Sequence, residues 1–116
     1  MKITSLAGAY CGAITYFVQE GTSAVVIDPA VPPSQFELIL GSPLPPVCAI
    51  LLTHGHFDHI SHMYRIFGKK KDIAVYATKT PIRILTQDGM ESEVFHEIRC
   101  EENMQINGFD VRAWQG

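Results

Sequence analysis

A chain of 116 residues, 47% apolar and 18% charged, has the composition of a single globular domain, 1–116, and excludes a disordered segment. Its formal charge of −3 is too small and too negative for a general nucleic-acid binder, so a nucleic-acid partner would need a local basic patch.

Lys2 to Leu6 is short and β-prone, and Gly8 and Gly12 punctuate the segment after it. Ile14 to Val18 is rich in β-branched and aromatic residues and ends at the turn signal Glu20-Gly21, so it reads as a strand. Ala24-Val25-Val26-Ile27 is a continuous apolar run stopped by Asp28-Pro29, the pattern of a strand covered on both faces. A short helix is expected over Ser34 to Leu40, with Phe36, Ile39 and Leu40 on its apolar side. Pro43, Pro45 and Pro46 then end it and set up a loop.

Val47 to Leu52 is a second fully apolar strand, and it leads directly into Thr53-His54-Gly55-His56-Phe57-Asp58-His59. From Asp58 the spacing of Ile60, Met63, Ile66 and Phe67 predicts a helix that stops at Gly68. Asp72 to Tyr76 reads as a strand. Thr78 is a candidate cap for a helix with Pro81 in its first turn and Ile82, Ile84 and Leu85 inside. A further strand is expected over Val94 to Cys100. The last predicted element is a hairpin: Met104 to Ile106, the turn Asn107-Gly108, then Phe109 to Trp114. Strands alternate with helices, which makes the class α/β, with a crossover unit at the centre.

The chemistry concentrates in residues 54–59. A neutral imidazole nitrogen binds zinc at about 2.0–2.1 Å, and His54 and His56, two apart, project from one side of an extended chain. Asp58 and His59 stand at the start of the next helix, suited to a second metal or to a bridging water. Imidazoles mixed with a carboxylate favour zinc, manganese or iron over a soft thiolate metal. The cluster follows the carboxyl end of a buried strand, where α/β sheets build their sites. Four ligand-type residues within six positions are hard to reconcile with an ordinary polar loop.

The segment Ile50 to Ile60 resembles the His-x-His-x-Asp-His signature of the metallo-β-lactamase superfamily. Val25-Val26-Ile27-Asp28-Pro29-Ala30 is similar to the strand-then-aspartate element that precedes it there. The resemblance implies the N-terminal half of an αββα sandwich, a mixed sheet with flanking helices and one or two metal ions, usually zinc, at the sheet edge. It also implies hydrolysis of an ester, thioester, amide or phosphodiester by metal-bound hydroxide. Carried over by residue, it makes His54 and His56 ligands of one ion and Asp58 and His59 ligands of another, with Asp58 also the catalytic residue that orients water. Asp28 becomes a residue that orients the loop or a ligand; a turn aspartate before proline is the competing reading.

The family draws further ligands from its second half, and this sequence reaches Ala113-Trp114-Gln115-Gly116 about where the third of those segments would begin. The domain is therefore expected to be truncated before the later ligands. Self-association, or docking with a complementing C-terminal half, is expected in turn. An inactive half-domain and a di-iron redox relative are the alternative functions. His62 reads as a helix-surface residue more readily than as an added ligand, and His96, alternating with apolar neighbours, as the solvent face of a strand. Lys69-Lys70-Lys71 is a solvated loop or a guide for an anionic substrate such as a phosphodiester.

Cys11, Cys48 and Cys100 form no Cys-x-x-Cys pair and read as packed thiols in a reducing compartment. The first residues lack the apolar stretch of a signal peptide, and no run approaches the roughly 20 residues of a membrane span. A cytoplasmic protein without a membrane partner is expected.

Overall fold

The computed structural model describes residues 1–7, 14–29, 31, 33–53, 74–87, 95–106 and 108–113. Among these described residues, six strands form one sheet in sequential order: β1 (Lys2–Ala7), β2 (Ile14–Glu20), β3 (Ser23–Ile27), β4 (Val47–Leu52), β5 (Ala74–Ala77) and β6 (Phe95–Glu97). The first three are antiparallel neighbours. From β3 onward each strand pairs parallel with the next. A two-residue turn, Gly21-Thr22, joins β2 to β3, with Glu20 opposite Ser23. Parallel pairing instead needs a crossover, and α1 (Pro33–Leu40) lies in the one between β3 and β4.

Helix α1 starts on Pro33, whose missing N–H falls where the first turn leaves donors unpaired anyway. It ends at Gly41, which adopts φ 90°, and the Gly41 N–H donates to the Glu37 carbonyl at 2.9 Å. A further helix among the described residues, α2 (Lys79–Gln87), comes after Thr78 and carries Pro81 near its start, as the sequence predicts. A separate two-stranded sheet, β7 (Asn103–Ile106) with β8 (Phe109–Arg112), closes on Gly108 at φ 89°, a backbone angle that glycine adopts without steric cost.

Side-chain alternation splits the core into two layers around the large sheet. On one face Phe17, Val26, Ile50, Leu52, Val75 and Ala77 meet Phe36 and Leu40 of α1 and Ile82 of α2. The Phe17 and Phe36 rings lie 5.4 Å apart in a tilted arrangement. On the other face Val18, Val25, Ala49 and Leu51 pack beneath Ile106 and Phe109 of the hairpin. The runs Ala24–Ile27 and Val47–Leu52 are thus covered on both sides: helices lie over one, and the hairpin over the other. The layers read helix, sheet, sheet, which is the mixed α/β sandwich the sequence implies.

Two local expectations are revised. Ile39 points outward at 58% exposure, because Phe36 and Leu40 already take the inward stripe of a helix only two turns long. Of the strand expected over Val94 to Cys100, Phe95–Glu97 is strand; the Ile98 N–H still donates to the Ala77 carbonyl at 2.8 Å, and beyond it Cys100 bridges to Ala113 instead. The helix expected from Asp58 to Gly68, together with Cys11, Val94 and Trp114, lies outside the described residues.

Candidate metal centre

Strands β3 and β4 run parallel, so both deliver the residues after them to the same edge of the sheet. Ile27 pairs with Leu51 there, and the Asp28 N–H donates to the Leu51 carbonyl at 2.8 Å, extending the ladder by one bond. The chain then turns. Asp28 adopts φ 53°, a left-handed conformation that aspartate tolerates better than most residues, immediately before Pro29.

That turn aims the Asp28 carboxylate across to the neighbouring strand. The Thr53 N–H donates to Asp28 Oδ1 at 2.8 Å, and the Thr53 hydroxyl donates to Asp28 Oδ2. Asp28 is buried, at 6% exposure, while Thr53 is exposed, so both bonds are partly shielded from water. A buried carboxylate without such donors would be costly. The clamp holds the last described residue before His54.

A second anchor holds the turn from below. Thr15, fully buried on β2, donates its hydroxyl to the Asp28 carbonyl at 2.7 Å and accepts the Val31 N–H at 3.1 Å. One hydroxyl therefore ties both sides of Asp28-Pro29 to the middle of the sheet. Sequence reasoning missed this role. The available signal was a polar residue on the inward side of β2, in alternation with Phe17.

The proposed ligands His54, His56, Asp58 and His59 lie outside the described residues, as do His62 and Lys69-Lys70-Lys71. Among the described residues no group of three or more His, Cys, Asp or Glu converges as a metal site. Of the residues singled out in the sequence, the structure places Asp28 and Thr53 together at the carboxyl edge of β3 and β4. It also places His96 exposed on β6, where its ring stacks on Tyr76 at 5.1 Å and 28°.

The family model described as the metallo-beta-lactamase superfamily matches residues 11–113. The chain belongs to the metallo-β-lactamase superfamily. Members include hydrolases such as β-lactamase and diphosphatase. The BLEG-1 B3 metallo-β-lactamase superposes with a TM-score of 0.69 at 20% identity, over 94% of this chain and 58% of that one. A new diphosphatase from the PhnP family superposes with a TM-score of 0.52 at 25% identity, over 83% of this chain and 40% of that one. The first likeness concerns the fold alone. The chain thus spans about half the length of these solved relatives. Comparison with curated proteins gives no match. Among the described residues no helix is long and apolar enough to cross a membrane.

Proposed function

We propose that this chain carries the metal-holding part of a metal-dependent hydrolase acting on an ester, thioester or phosphodiester. The observation that supports this reading best is the Asp28–Thr53 clamp. It fixes the point of departure of His54-x-His56-x-Asp58-His59 at the carboxyl edge of the parallel strands, and a metal site needs its ligand loop held to a fraction of an ångström.

The donor set, three imidazoles and a carboxylate on consecutive short spacings, fits zinc, with manganese and iron the next candidates. In this reading His54 and His56 hold one ion, and Asp58 and His59 a second or a shared one. A divalent ion so held supplies Lewis-acid activation of water and of the substrate's electrophilic centre. Asp58 orients the attacking water through its carboxylate. Asp28 acts one step back, fixing Thr53 and through it the entry of the loop.

A second reading is that turnover requires more chain than these residues, from a second copy or from a complementing half. What supports it is an uncovered strip on the hairpin side of the sheet, where Ile3, Ile14 and Tyr16 are 61%, 45% and 38% exposed. Cys48, half-buried, and Cys100, exposed rather than packed, are free thiols, which fits the proposed cytoplasmic, reducing setting. Metal content measured on the purified protein tests the first reading; light scattering tests the second.

A further inference from the structure

A single rung of paired residues crosses the sheet at the edge where β3 and β4 end. Ser5 pairs with Tyr16, Tyr16 with Ile27, Ile27 with Leu51, Leu51 with Tyr76 and Tyr76 with His96. Paired residues on neighbouring strands project to the same face, so Leu51, Tyr76 and His96 all face the hairpin side. Asp28 comes one residue after Ile27, and Thr53 two after Leu51. Strands lie about 4.8 Å apart, which sets His96 about 10 Å from Leu51 along the same edge.

Tyr76 and His96 differ in how they are held. Tyr76 is half-buried against the cluster of Ile106 and Phe109, so the hairpin holds its ring in place. His96 is exposed on the last strand of the sheet but is not loose. Its imidazole lies stacked on the Tyr76 ring, with centroids 5.1 Å apart and planes 28° apart. Covering one face of an imidazole with a packed aromatic ring restricts its rotamers and leaves an N–H at its edge available to solvent. The ordering cost of a surface side chain is thus met before any ligand arrives.

We propose that the Tyr76–His96 pair is a substrate-recognition element that accepts a phosphate ester, with His96 donating an N–H to a phosphoryl oxygen outside the bond being broken. The choice of class rests on chemistry: a phosphoryl group carries charged oxygens beyond its scissile bond, whereas a simple ester or thioester offers none for a second donor to hold. The proposal rests on the hydrolase reading and narrows its substrate.

The test uses the zinc-supplemented full chain and phenyl phosphate, followed by the imidazole resonances of His96 and by calorimetry, with zinc content read in parallel. The His96 resonances shift on titration, and His96→Ala weakens binding about tenfold, the usual loss for a hydrogen bond to a charged group. Tyr76→Phe keeps the stack and the affinity; Tyr76→Leu keeps the apolar packing, frees the imidazole and weakens binding. Unmoved His96 resonances, or unchanged affinity in His96→Ala, overturn the proposal. Zinc retained with His96 silent removes this element and leaves the metal reading intact. Phosphate binding through His96 without zinc supports the element and removes the metal reading.

Discussion

Thr53 gives both its backbone N–H and its hydroxyl to the carboxylate of Asp28, a residue 25 positions earlier and one strand away. This pair joins the ends of β3 and β4 at the point where the proposed ligand sequence begins. Its effects on stability and on metal binding are separable.

Asp28→Ala removes the charged acceptor of two part-buried hydrogen bonds from Thr53, at a cost of about 1–3 kcal/mol. Alanine also tolerates the left-handed backbone at Asp28 poorly. Asp28→Asn tolerates that backbone and keeps one acceptor oxygen, so it is the milder change. Urea unfolding should rank wild type, Asn, then Ala in falling stability. Zinc affinity of the folded Asn variant should drop by about 10–100-fold, the usual penalty for disturbing a group that supports metal ligands.

Thr15→Val preserves shape and deletes the hydroxyl that serves both the Asp28 carbonyl and the Val31 N–H. A loss of about 1–3 kcal/mol is expected, because two buried backbone groups lose a partner. Thermal unfolding checks it. Thr15→Ser, which restores the hydroxyl, should recover part of the loss.

If the uncovered strip on the sheet mediates association, Ile14→Ser combined with Tyr16→Ser should lower the scattering mass of the protein. Both side chains are partly exposed, and a small exposed apolar cluster is a recognised association site. A wild-type protein that is monomeric at all concentrations would rule out a second copy and leave the complementing half as the source of the missing chain.

Asp58→Asn keeps size and loses charge. Hydrolysis of a phosphodiester or thioester, with metal in excess, should fall by at least about a hundredfold, in the range seen when a group orienting the reacting water is removed. Activity equal to wild type would remove Asp58 from the mechanism.

Much of the fold was legible because the strands announce themselves in composition. Ala24–Ile27 and Val47–Leu52 have no polar face, and the structure buries both faces. The hairpin turn at Gly108 reflects a backbone preference of glycine, while α1 starts at Pro33, one residue before the expected Ser34. The inward role of Thr15 was hidden, since a β-branched residue fits a strand whichever way it faces. The stacking of His96 on Tyr76 was hidden for a different reason: the two residues are 20 positions apart, and only the parallel register of β5 and β6 brings them together. Exposure of His96 was foreseen from alternation, but its neighbour was not. The proposed ligand cluster is read from its spacing alone and lies outside the described residues, whereas the place of Asp28 was legible from the buried strand before it.

Metal content tests the central claim most directly. Purified protein loaded with zinc and then mildly chelated should retain zinc at clearly fewer than two ions per chain, because four ligands are too few for two complete sites, each of which uses about three protein groups. The double variant His54→Ala with His56→Ala should retain none, while its circular dichroism matches wild type. Two tightly held ions, or zinc undiminished in the double variant, would contradict the account and place the ligands elsewhere in the chain.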